Sequence, residues 1–270
     1  MTMFDLPFMR QAALACVLLA LVLAPLGTEV IRRRIVFVDL ALAQIAALGA
    51  AIGTAVDWDP IATSVVFTLI GAGLLSVPAS SARLPQEAVM GVVYAVASAA
   101  AVLVVAKTPH GDADFLHLLF GNILAVTDRQ VAVLAGLAVG VALWRFLTRR
   151  LDPAAIGRGT TFVFYLLLGG SIAAAIRSAG VLMVFTYLVA PSLAIRLIGL
   201  ERGAGAVAVA TAAACGVAGL MASYAWDLPS GSAIVAAFGA WLTLAAAATA
   251  IFRARVRMAK ADLTGRRDAV

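Results

Sequence analysis

Met9-Arg-Gln-Ala-Ala-Leu-Ala-Cys-Val-Leu-Leu-Ala-Leu-Val-Leu-Ala-Pro-Leu-Gly-Thr-Glu-Val-Ile31, followed at once by Arg32-Arg33-Arg34, is the stretch that decides the fold class. An apolar block of roughly 18 to 25 residues has the length a helix needs to cross a hydrocarbon core of about 30 Å. This block ends in three arginines rather than a small-residue cleavage site, so it reads as a retained span and not as a signal peptide.

Similar blocks recur along the chain. Nine candidate spans can be drawn at about 9–31, 36–55, 61–80, 88–106, 130–147, 161–176, 179–196, 204–224 and 231–252. The pair around Arg177 reads either as two spans or as one broken one, so eight spans are the alternative. The 270 residues are 63% hydrophobic and 13% charged, about half the charge of a soluble domain. Ala, Gly and Leu dominate the blocks, and small residues let helix backbones approach closely in lipid. The alternation of a membrane β-barrel is absent. The expectation is an all-α polytopic bundle of eight or nine transmembrane helices. Pro25, Pro78 and Pro191 lie inside apolar blocks, where neighbouring helices can satisfy the freed carbonyls, and read as kinks. Cys16 and Cys215 sit within apolar blocks and read as small hydrophobes rather than a disulfide framework.

The net charge of +6 could suggest nucleic acid, but its distribution points to topology instead. With the N-terminus outside, alternate threading puts all the basic residues on one face except Arg10, Lys107, Arg129 and Arg177. By the positive-inside bias that face is cytoplasmic. The expectation is a multi-pass protein of a bacterial inner membrane, with residues 1–252 as the membrane domain and 253–270 as a basic cytoplasmic tail. The outer face collects Asp5, Asp57, Asp59, Asp112, Asp114, Asp128, Asp227 and both histidines, His110 and His117, which suits a cationic ligand or a basic docking partner. Trp58 and Trp226 read as interface anchors. From Lys107 to Asp128 the chain is too polar at its start to span and reads as a short external or re-entrant helix.

Ionisable residues within spans are costly and are functional candidates by default. Glu29 and Asp39 flank the arginine triplet and Glu87 opens the fourth block, where pairing with nearby arginines is the plainer reading. Asp39 and Gln44 share one apolar block, but five positions on a regular helix separate them by about 140°. Gln44 needs a polar partner in the bundle. His110, Asp112, Asp114 and His117 resemble metal ligands by type, although the spacing is looser than that of a structural zinc site. Asp227-Leu-Pro-Ser230-Gly231 reads as a tight turn, with Ser230 available to cap the last helix. Asp152, Pro153, Gly157 and Arg158 belong to a short, turn-rich inner segment on which a cytoplasmic partner could dock. No nucleotide-binding G-x-x-x-x-G-K-[ST] occurs, so any ATP is bound by another chain. An intramembrane hydrolase would need a Ser-His dyad or an H-E-x-x-H helix, and both histidines lie in one loop; no catalytic residue is expected.

Ser223-Tyr-Ala-Trp-Asp227-Leu-Pro-Ser-Gly231-Ser-Ala-Ile-Val235 resembles the S-Y-x-x-D-L-P-S-G-x-x-I-V stretch of the permease subunits of zinc, manganese and iron ABC importers. Pro25-Leu-Gly27, Leu42-Ala-Gln44-Ile-Ala-Ala-Leu-Gly49, Leu119-Phe-Gly121-Asn-Ile-Leu-Ala-Val126 and Gly180-Val-Leu through Ala190-Pro191 to Arg196-Leu agree in order and spacing, and Glu87 fits that family's acidic position before Gly91. The family usually carries Asp and His four residues apart in its second span; here Leu40 and Gln44 hold those places, and Asp39 is offset by one. An amide is a poorer transition-metal ligand than imidazole.

The resemblance implies a homodimeric permease whose pathway lies at the subunit interface. It further implies two cytoplasmic ATPase subunits on the inner loops, an external solute-binding protein, and a divalent metal as cargo. The alternatives are a permease for a chelated ligand of the cobalamin or ferric-siderophore type, and a membrane scaffold without transport. No cofactor is expected on this chain, and no nucleic-acid partner.

Overall fold

The computed structural model describes residues 6–76, 85–107, 121–148, 158–200 and 203–267. Among these every regular element is helical: α1 (Pro7–Arg33), α2 (Val38–Ala55), α3 (Pro60–Ser76), α4 (Gln86–Val105), a single 3-10 turn (Ile123–Ala125), α5 (Asp128–Thr148), α6 (Arg158–Ile198), α7 (Ala204–Trp226) and α8 (Ser230–Arg267). Seven of the helices are long and apolar enough to cross a membrane, while α3, with 17 residues, is shorter. The expected outer helix over 107–128 is represented among the described residues by the 3-10 turn; residues 108–120, and with them His110, Asp112, Asp114 and His117, lie outside them.

α1 forms the axis of the bundle. Pro7 opens it, where its fixed φ suits the first turn and its missing N–H is not needed. Arg34 closes it in the left-handed conformation, φ 58° and ψ 41°, with the Arg34 and Ile35 amides donating back to the Ile31 and Val30 carbonyls. Along its length α1 is buried almost all round, as an apolar helix without a polar face must be, and it packs on α5, α6 and α7. α2 gathers α3 and α4 about itself, and α6 touches both groups and α8. α4, α5 and α8 turn most of their surface outward; Leu103, Val139 and Leu244 are each about 70% exposed. In a bundle solvated by lipid, such side chains face acyl chains or another membrane helix.

α6 carries the main departure from a regular helix. Thr161, near its start, accepts a hydrogen bond from Arg33 Nη1 at 3.2 Å, and Ile195, near its end, shares a cleft with Ile31 and Arg32. Both ends therefore meet the arginine end of α1, although a straight helix would hold these two residues about 50 Å apart. The chain reverses at Gly180, whose φ of 79° and ψ of 163° are open to glycine and strained for other residues. Segments 158–179 and 181–198 are two antiparallel arms. Over 161–196 the chain thus takes a broken path, two helical arms joined at Gly180.

Close backbone approach fixes the arms against their neighbours. A β-carbon on Gly27 would run into the Leu188 carbonyl, and one on Gly219 into the Ile234 backbone. Pro25 and Pro191 sit within α1 and α6 without ending either. Cys16 and Cys215 are free and buried. α8 continues unbroken to Arg267, so residues 253–267 extend the last helix.

Replacing Gly27 with valine forces the Leu188 backbone away and is expected to cost about 1–3 kcal/mol. Gly91, where an added β-carbon meets nothing within 4 Å, is expected to accept the same change. Thermal unfolding of the detergent-solubilised variants compares the two; equal melting would mean that the α1–α6 approach is not tight.

Candidate functional site

At the arginine end, Glu29 organises the charges. Its Oε1 accepts from Arg32 Nη2 and from Arg33 Nε, both at 2.7 Å, one turn along the same helix. Arg33 continues across the helix junction, donating to Thr161 and lying over the Phe164 ring at 4.6 Å, a cation–π contact that holds the start of α6 against α1. Gln86, in the first turn of α4, donates to the Tyr165 hydroxyl at 3.0 Å. A cleft of about 650 Å3 opens beside these residues between α1, α5, the end of α6 and the start of α7. The expected pairing with arginines holds for Glu29. It fails for Asp39, and Glu87 is simply exposed at the start of α4.

At the opposite end, Gln11 Nε2 donates to Asp128 Oδ1 at 2.6 Å and joins the starts of α1 and α5. Asp227 ends α7 in the left-handed conformation, φ 50°, and is exposed. The turn after it is closed by Ser223, whose hydroxyl donates to the Leu228 carbonyl at 2.6 Å, while the Leu228 amide returns to the Ser223 carbonyl at 3.0 Å. Ser230 is the first residue of α8 rather than its cap, because Ala233 N–H already bonds to the Pro229 carbonyl. Gly121, at φ 64°, packs where a β-carbon would strike Ala179 and Gly180. A cavity of about 500 Å3 lies between Gly121, Asn122 and Leu124 on one side and the run Leu228 to Ser232 on the other. Three segments set far apart in the sequence, 121–126, 179–180 and 223–235, converge here. Trp58 and Trp226, 69% and 72% exposed, stand at the same end.

Asp39, in the first turn of α2, and Gln44, five residues further along the same helix, are both buried, at 1% and 4% exposure. Asp39 Oδ1 accepts the Leu40 amide at 2.8 Å, but Asp39 Oδ2 and Gln44 Oε1 have no hydrogen-bond partner. Among the described residues none supplies the partner that the Gln44 oxygen needs. A buried polar atom left unmatched costs about 1–3 kcal/mol, and such atoms call for a functional reason. α2 is regular, so the two residues do not share a face. Nothing in the sequence singles out Ser171 and Ser192, whose buried hydroxyls likewise have no partner among the described residues. Thr68 and Thr186, in comparable helical settings, bond to the carbonyl four residues back.

Among the described residues no group of three or more His, Cys, Asp and Glu stands close enough to hold a metal. Asp152, Pro153 and Gly157 fall outside the described residues, and Arg158 begins α6.

A helical bundle with convergent end segments and unmatched oxygens in its interior suits passage of a polar solute, and the pattern of the chain matches the ABC 3 transport family over residues 5–249. The chain belongs to the ABC 3 transport family. This ABC 3 protein is 25% identical over 244 residues to the manganese transport system membrane protein MntC of Halalkalibacterium halodurans, covering 84% of this chain and 82% of that one. It is 24% identical over 202 residues to the high-affinity zinc uptake system membrane protein ZnuB of Haemophilus influenzae, covering 70% and 77%. Its fold is that of a chain in the structure of PsaBC from Streptococcus pneumoniae in complex with Fab, with a TM-score of 0.74, 21% identity, and 90% and 92% of the two chains covered. It is a multi-pass membrane permease of an ABC transport family, in which ATP hydrolysis falls to a separate subunit.

Gly121→Ala combines a left-handed φ with a clash on the Ala179–Gly180 backbone, and is expected to destabilise the protein by about 1–3 kcal/mol. Ser223→Ala removes one hydrogen bond and is expected to cost only about 1 kcal/mol. Melting curves that rank the two in the reverse order would overturn the convergence described for this end.

Proposed function

We propose that this chain, paired with a second copy of itself, forms the pathway of an importer for a divalent transition metal, manganese or zinc. The observation that carries the reading is the family match over residues 5–249, joined to relatives named for manganese and zinc transport along most of their length. Two cytoplasmic ATPase subunits supply the energy, and an external solute-binding protein delivers the ion to the end where 121–124 and 228–232 meet. The charge distribution supports this orientation: arginines crowd one end and aspartates the other, so the N-terminus is outside, the C-terminus in the cytoplasm, and the membrane a bacterial inner one.

With α3 crossing and α6 counted as two arms, the chain makes nine crossings. Residues 152–158 offer the inner docking segment for the ATPase, and 253–270 form a basic extension on the cytoplasmic side. His110, Asp112, Asp114 and His117 would sit in the outer loop, where transient capture of the ion suits them. Within the membrane, Asp39 and Gln44 are the pathway candidates, supported by their unmatched oxygens; Glu87 and Asp227 would act at the two mouths.

The replacement of the family's Asp and His by Leu40 and Gln44 favours one second reading, a chelated cargo, because an amide binds a bare transition metal poorly. Proteoliposomes containing the whole complex discriminate the two. Uptake of radioactive manganese or zinc is expected only with ATP, and is expected to fall by about tenfold or more in Asp39→Ala. Gln44→His is expected to raise it. If neither ion were taken up with ATP while a chelate was, the cargo would be a chelate; uptake of none of them would remove the importer reading.

A further inference from the structure

The last helix is longer than a membrane requires. Ser230–Phe252 supplies 23 residues, enough to cross, and the remaining 15 of the 38 residues of α8 run on to Arg267 as one helix. α8 starts at the end where Gly121 and Ser230 share a cavity. Its extension therefore leaves the bundle at the arginine end, where α6 also begins, with Thr161 bonded to Arg33.

The extension has a regular pattern. At 100° per residue, Phe252, Val256, Ala259 and Leu263 fall within an arc of about 60° on the helix. Arg253, Arg257, Lys260 and Arg267 fall within about 80° directly beside that arc, and Arg255 and Arg266 fall on its other flank. Asp262 is the one acidic residue of 253–267 and lies beyond Arg255. The result is an apolar stripe with basic positions along both borders.

Such a pattern suits either a headgroup layer or a protein groove, and the backbone decides between them. A helix that lies in a headgroup layer runs in the plane of the membrane, which here demands a sharp bend after Phe252. Sharp bends occur at proline, at glycine and serine pairs or at π-bulges. Residues 240–264 contain no proline, glycine or serine and are α-helical throughout. The extension thus keeps the direction of the span. At 1.5 Å per residue Leu263 stands about 16 Å past Phe252 and Arg267 about 22 Å, whereas the headgroup layer on each side is only about 5–8 Å deep. An apolar stripe held out in water is covered by an apolar groove, read at i, i+4, i+7 and i+11, and basic borders call for acidic rims on that groove.

We propose that residues 253–267 dock as a helix into an apolar groove with acidic rims on the cytoplasmic ATPase subunit, a contact additional to the inner segment 152–158. The identity of the partner and its compartment rest on the importer reading; the projecting amphipathic rod does not.

The test uses the full chain with its copurifying subunits in native membranes, carrying photoreactive p-benzoylphenylalanine in place of Leu263. Irradiation is expected to join this chain to the ATPase subunit. Lys260→Glu combined with Arg267→Glu is expected to lower the yield of that product roughly fivefold or more, since two favourable rim contacts become repulsive. Arg177→Glu, at the other end, is expected to leave the yield unchanged. A product with lipid alone, with a second copy of this chain alone, or no product while the ATPase subunit still copurifies overturns the docking proposal and leaves the importer reading standing. A yield that the double charge reversal does not change overturns it as well. Absence of any ATPase subunit from the parent preparation overturns both.

Discussion

In hydrocarbon, apolar side chains gain little by leaving the solvent for each other, so helices hold together through the closeness of their backbones. That constraint runs through this bundle. Gly27 admits the Leu188 carbonyl, Gly219 admits Ile234, and the Tyr187 hydroxyl seats against Gly216, where a β-carbon would not fit. These contacts tie α1, α6, α7 and α8 into one body.

Against such a tight interior, the unmatched oxygens of Asp39 and Gln44 stand out. A bundle that excludes even a methyl group at Gly27 nevertheless keeps a carboxylate oxygen and an amide oxygen without partners. The pathway role proposed for these two residues gives that cost a reason. Of the two only Asp39 carries an ionisable group, since Leu40 and Gln44 hold the neighbouring positions of the span.

Much of the architecture was legible in the sequence because length and hydropathy are sufficient for membrane helices. The first span, the two ends and their opposite charges follow from the quoted block and the positions of the arginines. The reversal at Gly180 was half legible. The apolar run through Arg177 carries Gly169-Gly170 as well as Gly180, so its sequence does not say where it turns, and the meeting of Thr161 and Ile195 at one end of α1 decides it. Asp39 was read as an arginine partner on proximity in sequence, yet Glu29 occupies that role because it lies three and four residues before Arg32 and Arg33 on the same helix. Ser192 could not be distinguished by sequence from Thr186 or Thr68. Whether a hydroxyl turns back to its own helix is settled by how neighbouring helices pack on it.

The fold-back in α6 has a consequence for every residue after it. In a bundle of roughly parallel rods, each reversal of the chain fixes the end at which the next helix starts. One positive-φ glycine folds back what would otherwise be a single rod, and thereby sends the start of α7 to the arginine end and the start of α8 to the opposite one. The direction of the last quarter of the protein thus hangs on a backbone conformation at one residue.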